Sequence, residues 1–269
     1  MKIIKSFKVL KKEINFNENI GFVPTMGSLH VGHLSLIKIA KRKSKKVLVS
    51  IFVNPSQFNE KNDFIKYPRN FNRDIAILKK LKVNYLFTPD KNEIYKKGIN
   101  KRLNIHRDDK ILCAKYRKGH FEGVLAVINR FLSKIDSKYL FLGEKDYQQL
   151  YLIKKYLQLK FNTKIIGCKT IRNRNYLPLS SRNGLLSKSS LFKAEKISKI
   201  LMNFKSKILN NFSNIKLLNL YKKKISNLCN KLEYLEIRNK KNLSSKISKK
   251  NFKIFIAYKI DKVRLIDNF

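Results

Sequence analysis

Short apolar runs alternate with helix-periodic segments through the first two-thirds of the chain, and this alternation restricts the fold more than any other feature. Val47–Val53 is the strongest run, and its nearly unbroken apolar character suits a strand of a parallel sheet covered on both faces. Ile20–Val23 reads as a shorter buried strand, ending at Pro24 in a loop that holds Gly27. Between the two, Leu34, Ile37 and Ala40 repeat at helical spacing. Ile75, Leu78 and Leu81 then predict a helix feeding a strand at Val83–Phe87. Leu125, Ile128 and Leu132 precede a strand at Tyr139–Leu142, and Leu150, Ile153 and Leu157 precede one near Ile165 and Ile166. Such β-α-β order predicts an α/β fold, a doubly wound parallel sheet whose ligands sit beyond the carboxyl ends of its strands.

The character changes after about Asn183. Leu185–Leu209 and Tyr221–Leu228 read as helices, and Tyr234–Ile237 and Phe252–Tyr258 as strands, predicting a second, smaller α+β domain. The boundary is expected near Ile171, giving domains at 1–170 and 171–269. Asn239–Lys250, polar and lysine-rich, reads as a mobile surface loop. There is no internal repeat.

At 269 residues with 43% hydrophobic content, the chain can bury a core in each of two domains. No apolar run approaches the roughly 20 residues of a membrane span. Residues 1–30 show no secretory signal pattern, so a cytoplasmic protein with no membrane partner is expected. Cys113, Cys168 and Cys229 are scattered, match no metal or redox spacing, and read as buried free thiols. Lys+Arg number 61 against 18 Asp+Glu, a net charge of +43. Because lysine occurs on almost every segment and aromatics do not recur beside it as a base-stacking platform would need, the charge reads as a generic solvated surface rather than a nucleic-acid site. Such a field still speeds the approach of anions such as ATP.

The segment Pro24-Thr25-Met26-Gly27-Ser28-Leu29-His30-Val31-Gly32-His33 leaves a predicted strand and enters a predicted helix. Free backbone N–H groups and the helix dipole favour phosphate at such a place. With a helix starting near Leu29, His30 and His33 share a face, and two imidazoles aimed at one phosphate can donate to charge developing in a transition state. Gly143-Glu144-Lys145-Asp146 also follows a strand and opens a helix; Lys145 offers a compact charge to phosphates, and Asp146 a carboxylate to ribose or a magnesium-linked water. By spacing alone it could equally be a solvated Lys–Asp pair. Gln57 and Gln149 are amides able to read a carboxylate and hydroxyls, although either could be an ordinary surface residue. Walker and dinucleotide-binding glycine patterns are absent.

His-x-Gly-His after a strand resembles the signature of the adenylyl-transferring superfamily that includes class I aminoacyl-tRNA synthetases and nucleotidyltransferases; alone it does not choose among them. The wider string PTMGSLHVGHLSLI resembles the pantothenate synthetase family. Further blocks match in the same order: VSIFVNPSQF (Val49–Phe58), GHFEGV (Gly119–Val124), LFLGEKDYQQL (Leu140–Leu150), LSSRNGLLS (Leu179–Ser187) and RLIDN (Arg264–Asn268). A nucleotidyltransferase that keeps the nucleotide in a dinucleotide product would share His-x-Gly-His but leave FVNPSQF and GEKDYQQL unexplained.

The resemblance implies a Rossmann-like nucleotidyltransferase-type domain that binds ATP and pantoate, and a C-terminal lid. It implies ATP-dependent condensation of pantoate with β-alanine through a pantoyl adenylate, giving pantothenate, AMP and pyrophosphate. ATP contacts are implied at Met26, Gly27, Ser28, Leu29, His30, Val31, Gly32, His33, Gly143, Glu144, Lys145, Asp146, Ile171, Leu179, Ser180, Ser181 and Arg182. Among these His30, His33, Lys145 and Arg182 are the implied catalytic groups, with a proton-donor role at His33. Pantoate contacts are implied at Gln57 and Gln149, with Asn54 a lesser candidate, and β-alanine near Gln57. ATP enters as co-substrate with Mg2+, no protein metal cage is expected, and the family implies a homodimer.

Two departures stand out. The family usually has Asp-Gly where Asn175 and Tyr176 stand, which puts the mobility of the following Ser-Ser-Arg loop in question, and Pro178 adds a further constraint. Lys118 stands where the family often has proline before Gly-His-Phe. Neither change removes a residue assigned to chemistry.

Overall fold

The computed structural model describes residues 1–59, 61–95 and 103–269. They form two compact units, one of residues 1–144 and 149–169 and the other of 145–148 and 170–269.

In the first unit the chain runs β1 (Lys2–Ile4), α1 (Phe7–Glu13), β2 (Ile20–Thr25), α2 (Val31–Lys43), β3 (Lys46–Ile51), α3 (Lys61–Ile65), α4 (Phe71–Lys80) and β4 (Tyr85–Phe87). It continues with α5 (Lys91–Ile94), α6 (Cys113–Tyr116), α7 (His120–Leu132), β5 (Tyr139–Gly143), α8 (Tyr147–Leu157, its first two residues in the other unit) and β6 (Lys164–Cys168). The six strands form one sheet in the order β1-β4-β3-β2-β5-β6, and every pairing is parallel.

Both faces of this sheet are dry, which explains the unbroken apolar runs. Val23, Val47, Val49 and Leu86 pack with Ile37 and Ala40 of α2 and Leu78 of α4. On the alternate positions, Phe22 and Phe87 meet Phe131 of α7 edge-on at 5.5 and 6.2 Å, and Phe87 also meets Phe7 of α1 at 5.0 Å. Helices from both faces thus close the doubly wound arrangement.

Several expected boundaries move for local reasons. Strand β2 continues through Pro24 to Thr25, because β5 pairs with β2 only at Gly21 and Phe22 and leaves one side of Pro24 without a ladder to break. Helix α2 starts at Val31, with His30 as its N-cap, rather than near Leu29. Strand β4 starts at Tyr85 rather than Val83. The Val83 N–H closes α4 on Leu78 O and the Lys82 N–H bonds to Lys79 O, a Schellman ending with Lys82 at φ 51. Two of the thiols, Cys113 and Cys168, are buried as expected, whereas Cys229 is only half-buried. Burial, reinforced by the Glu144 carboxylate, pushes the Cys168 thiol up to about 11.

The second unit holds α9 (Lys188–Asn210), α10 (Leu218–Ser226) and an antiparallel sheet of β7 (Lys231–Asn239), β8 (Phe252–Ile260) and β9 (Val263–Asn268), in that order. Ile197, Leu201, Phe204 and Ile208 recur at helical spacing on α9 and pack with Ile254, Ile256 and Tyr258 of β8. Tyr221 of α10 stacks on Phe204 at 4.2 Å. The segment expected to be a mobile loop is tied down. Leu243 is 1% exposed, the Asn239 N–H bonds to Ser244 O, and Tyr147 Oη donates to Lys240 O. Among the described residues, no helix is long and apolar enough to cross a membrane.

Candidate functional site

Order reverses in the parallel sheet between β2 and β5, the place where such folds bind ligands beyond the strand ends. Three predicted segments emerge there: Met26–His33 after β2, Asn54–Gln57 after β3, and Gly143 with Glu144 at the end of β5. Gln149 is half-buried in the first turn of α8. Lys145, Asp146, Ile171 and Leu179–Arg182 belong to the second unit.

The turn after β2 is built around backbone donors that the protein itself satisfies. The Gly27 N–H bonds to Thr25 Oγ1 at 3.2 Å, while the Ser28 and Leu29 N–H groups bond to Asp74 at 2.7 and 2.8 Å. The His30 N–H bonds to His33 Nδ1 at 3.3 Å, and the Gly32 N–H to His30 Nδ1 at 3.1 Å. The expectation that free N–H groups here receive phosphate is therefore corrected for these five donors. What the turn presents instead are two imidazoles, with ring centroids 4.1 Å apart. Each accepts at Nδ1, so in the neutral ring the proton sits on Nε2. The two histidines also form a capping box, His30 as N-cap and His33 at N3, which locks both rings to the start of α2.

After β3, Pro55–Gln57 makes a single 3-10 turn capped by Asn54. Asn54 is 1% exposed and its amide is fully committed: Nδ2 donates to Gly123 O and Gln57 Oε1, and Oδ1 accepts from the Ser56 N–H and Tyr95 Oη. Held in this way, Asn54 supports the turn that carries Gln57. The Gln57 carbonyl is held by His120 Nδ1 at 2.6 Å and Arg117 Nη2 at 3.2 Å, and Arg117 Nη1 also donates to His120 Nε2. Gly123 lies so close to this turn that a Cβ would stand 2.3 Å from Ser56 O. Burial pushes the Tyr95 phenol up, against its hydrogen bonds with Ser56 and Asn54.

In the second unit, Lys145 Nζ lies 3.5 Å from Asp146 Oδ1, and Asn268 Nδ2 holds Lys145 O at 2.8 Å. Leu179–Arg182 follows a tight hairpin in which Arg172 pairs with Pro178. Arg172 makes two bonds to the buried Asp267 carboxylate, at 2.7 and 2.9 Å, and others to Tyr176 O and Asn268 O. The block Arg264–Asn268 therefore fixes both the Lys145 backbone and the base of the hairpin that leads to Ser180. Ser180 caps the turn Ser181–Leu185 by accepting the Arg182 N–H at 3.2 Å. Its hydroxyl proton remains a donor. Among the described residues no cluster of His, Cys, Asp or Glu could cage a metal. Asp146, 44% exposed, has the hard oxygen donors that suit a Mg2+ held mainly by phosphates and water.

Sequence reasoning passed over Asp74, Tyr95, Arg117 and His120. The last lies in a block already flagged, but nothing in its spacing says that its ring reaches a main-chain carbonyl 63 positions away.

A parallel sheet with a paired-imidazole turn at its reversal point defines an α/β enzyme of the His-x-Gly-His nucleotide-handling class. A family model described as pantoate-beta-alanine ligase matches residues 2–269. A pantothenate synthetase of Francisella tularensis subsp. mediasiatica (strain FSC147) is 45% identical over 273 residues, 99% of this chain and 95% of that protein. The crystal structure of pantothenate synthetase from Thermus thermophilus superposes with a TM-score of 0.92 at 31% identity, covering 100% of this chain and 99% of that one. The pantoate-beta-alanine ligase of Francisella tularensis, complexed with beta-gamma ATP and β-alanine, gives 0.87 at 42% identity, covering 100% and 97%. The chain belongs to the pantoate–β-alanine ligase family.

Proposed function

We propose that this chain condenses pantoate with β-alanine at the expense of ATP, and that the paired imidazoles of His30 and His33 at the sheet's reversal point carry the first step. In that step the pantoate carboxylate attacks the α-phosphorus, the bond to the β-phosphate breaks, and pyrophosphate leaves. The carboxylate is already ionised near neutral pH, so no base is required. The demand is to neutralise and align phosphate, and the Nε2–H groups of His30 and His33 suit it, with His33 the proton donor. Lys145, Ser180, Ser181 and Arg182 serve ATP phosphates. Gly143, Glu144, Leu179 and the turn residues Met26–Leu29, Val31 and Gly32 contact ATP, with Met26 and Ile171 on the adenine side. Asp146 would hold Mg2+, which neutralises phosphate charge when bound. Gln57 and Gln149 bind pantoate, Gln57 also faces β-alanine, and residues 171–269 act as a lid. In the second step the β-alanine amine attacks the acyl carbon and AMP leaves.

Pantoate-dependent exchange between ATP and pyrophosphate is the decisive assay, with free AMP as the end product; no exchange, or a dinucleotide product, refutes the reading. His33→Ala should lower turnover by about a hundredfold. His33→Gln can keep the helix cap and should also be slow, because its amide can donate a hydrogen bond but cannot give up a proton. Near-normal pyrophosphate release by either variant removes His33 from the chemistry. A cytoplasmic homodimer completes the proposal, and sedimentation as a monomer at micromolar concentration would contradict the dimer.

A further inference from the structure

Gly27 and Ser28 take successive left-handed conformations, at φ 78 and 51, and so turn the N–H groups of Ser28 and Leu29 towards one side. Consecutive donors held in this way form a concave nest for an anion. The nest is filled from within the chain. Asp74, on the first turn of α4 and 1% exposed, places Oδ2 at 2.7 Å from Ser28 N and Oδ1 at 2.8 Å from Leu29 N. The fit is close: a Cβ on Gly27 would lie 3.1 Å from the same Oδ2. Leu29, 3% exposed, is packed in the core and runs directly into the N-cap His30.

We infer that Asp74 is a positioning residue for adenylation, an internal anion that shapes the turn and thereby aims His30 and His33; the inference rests on the phosphate role given above to these histidines. Asp74 touches neither imidazole through any bond described above and acts only through the backbone of residues 28 and 29. Its charge also keeps a second anion out of the nest. The substrate phosphate is therefore left to the imidazole Nε2–H groups and to cationic side chains.

The test compares Asp74→Ala and Asp74→Asn in the full chain, each with and without added acetate as the substitute carboxylate. Asp74→Ala should lose about a hundredfold in kcat for pantoate-dependent exchange, the scale of a misaligned reacting group. Its KM for β-alanine should stay within about twofold, because the second half-reaction does not use this alignment. Asp74→Asn keeps one acceptor but sets an NH2 against the other N–H, so its loss should be smaller. Acetate should restore Asp74→Ala several-fold and leave the unaltered chain and Asp74→Asn unchanged. Wild-type rates in both variants overturn the inference, and so does a loss that follows only the folded fraction and ignores acetate. If the unaltered chain shows no exchange at all, the functional reading fails, and Asp74 is then judged by amide hydrogen exchange over residues 27–30. That exchange should be about tenfold faster in Asp74→Ala and slowed again by acetate; equal protection in the two proteins overturns the role.

Discussion

Tyr176 holds a backbone conformation that its own side chain resists. It sits at φ 66, where an L-residue other than glycine pays roughly 1–2 kcal/mol. The turn survives because its neighbours over-determine it. Asn173 Nδ2 and Asn175 Nδ2 each donate at 2.7 Å to the Glu195 carboxylate, and Arg172 holds Tyr176 O at 2.7 Å. A conformation in which glycine would be relaxed is thus held by side-chain amides and a guanidinium. Tyr176→Gly should stabilise the chain by roughly 1 kcal/mol, after allowing for the freer unfolded glycine, and raise Tm by roughly 2 °C. A lower Tm in a thermal melt would show that the half-exposed ring contributes more than its backbone costs. At this scale the sequence was legible where residue type and spacing place side chains together, as with the two histidines paired at the start of α2. It was silent on residues that bond to distant main-chain atoms, such as Asp74 and Arg117, because a side chain that reaches a distant N–H or C=O leaves no local pattern.

Helix α7 packs directly against the turn after β3. Gly123→Ala would drive a methyl into Ser56 O and, with no flexible side chain to give way, displace the turn that presents Gln57. We expect the KM for pantoate to rise by about tenfold or more in steady-state assays, while a normal pantoate response would separate Gln57 from that substrate. Strand β9 has a comparable role in the other unit. Asp267→Ala leaves the Arg172 guanidinium, only 19% exposed, without its bidentate partner. Breaking such a pair costs about 3–5 kcal/mol, which urea denaturation will register; a change below about 1 kcal/mol would mean that solvent replaces the carboxylate. The long periodic helices and the doubly buried strands were readable, since burial on one or two faces writes itself into residue spacing. Strands β1 and β9 were not: β1 is an edge strand of three residues, and β9, also at an edge, has Arg264, Asp267 and Asn268 at positions spent on ion pairs and main-chain bonds.

Across the whole molecule, 61 basic side chains face 18 acidic ones, so the average pair of charges repels. Self-repulsion of this kind opposes compaction, and salt screens it over about 10 Å at 0.1 M. Raising sodium chloride from about 0.05 to 0.5 M should therefore increase Tm by several degrees in scanning fluorimetry. A fall would mean that individual ion pairs outweigh the mean field. The same charge was plain in the sequence, whereas the path of the main chain was not. Lys145–Gln148 leave the sheet-bearing unit, join the other for four residues and come back, before the final crossing at Thr170. A gene cut between codons 169 and 170 would consequently yield two polypeptides, the second lacking a piece of its own body and the first carrying that piece with nothing to pack it. Recombining this protein with a relative by swapping everything after residue 169 should therefore bring the matching four-residue segment along.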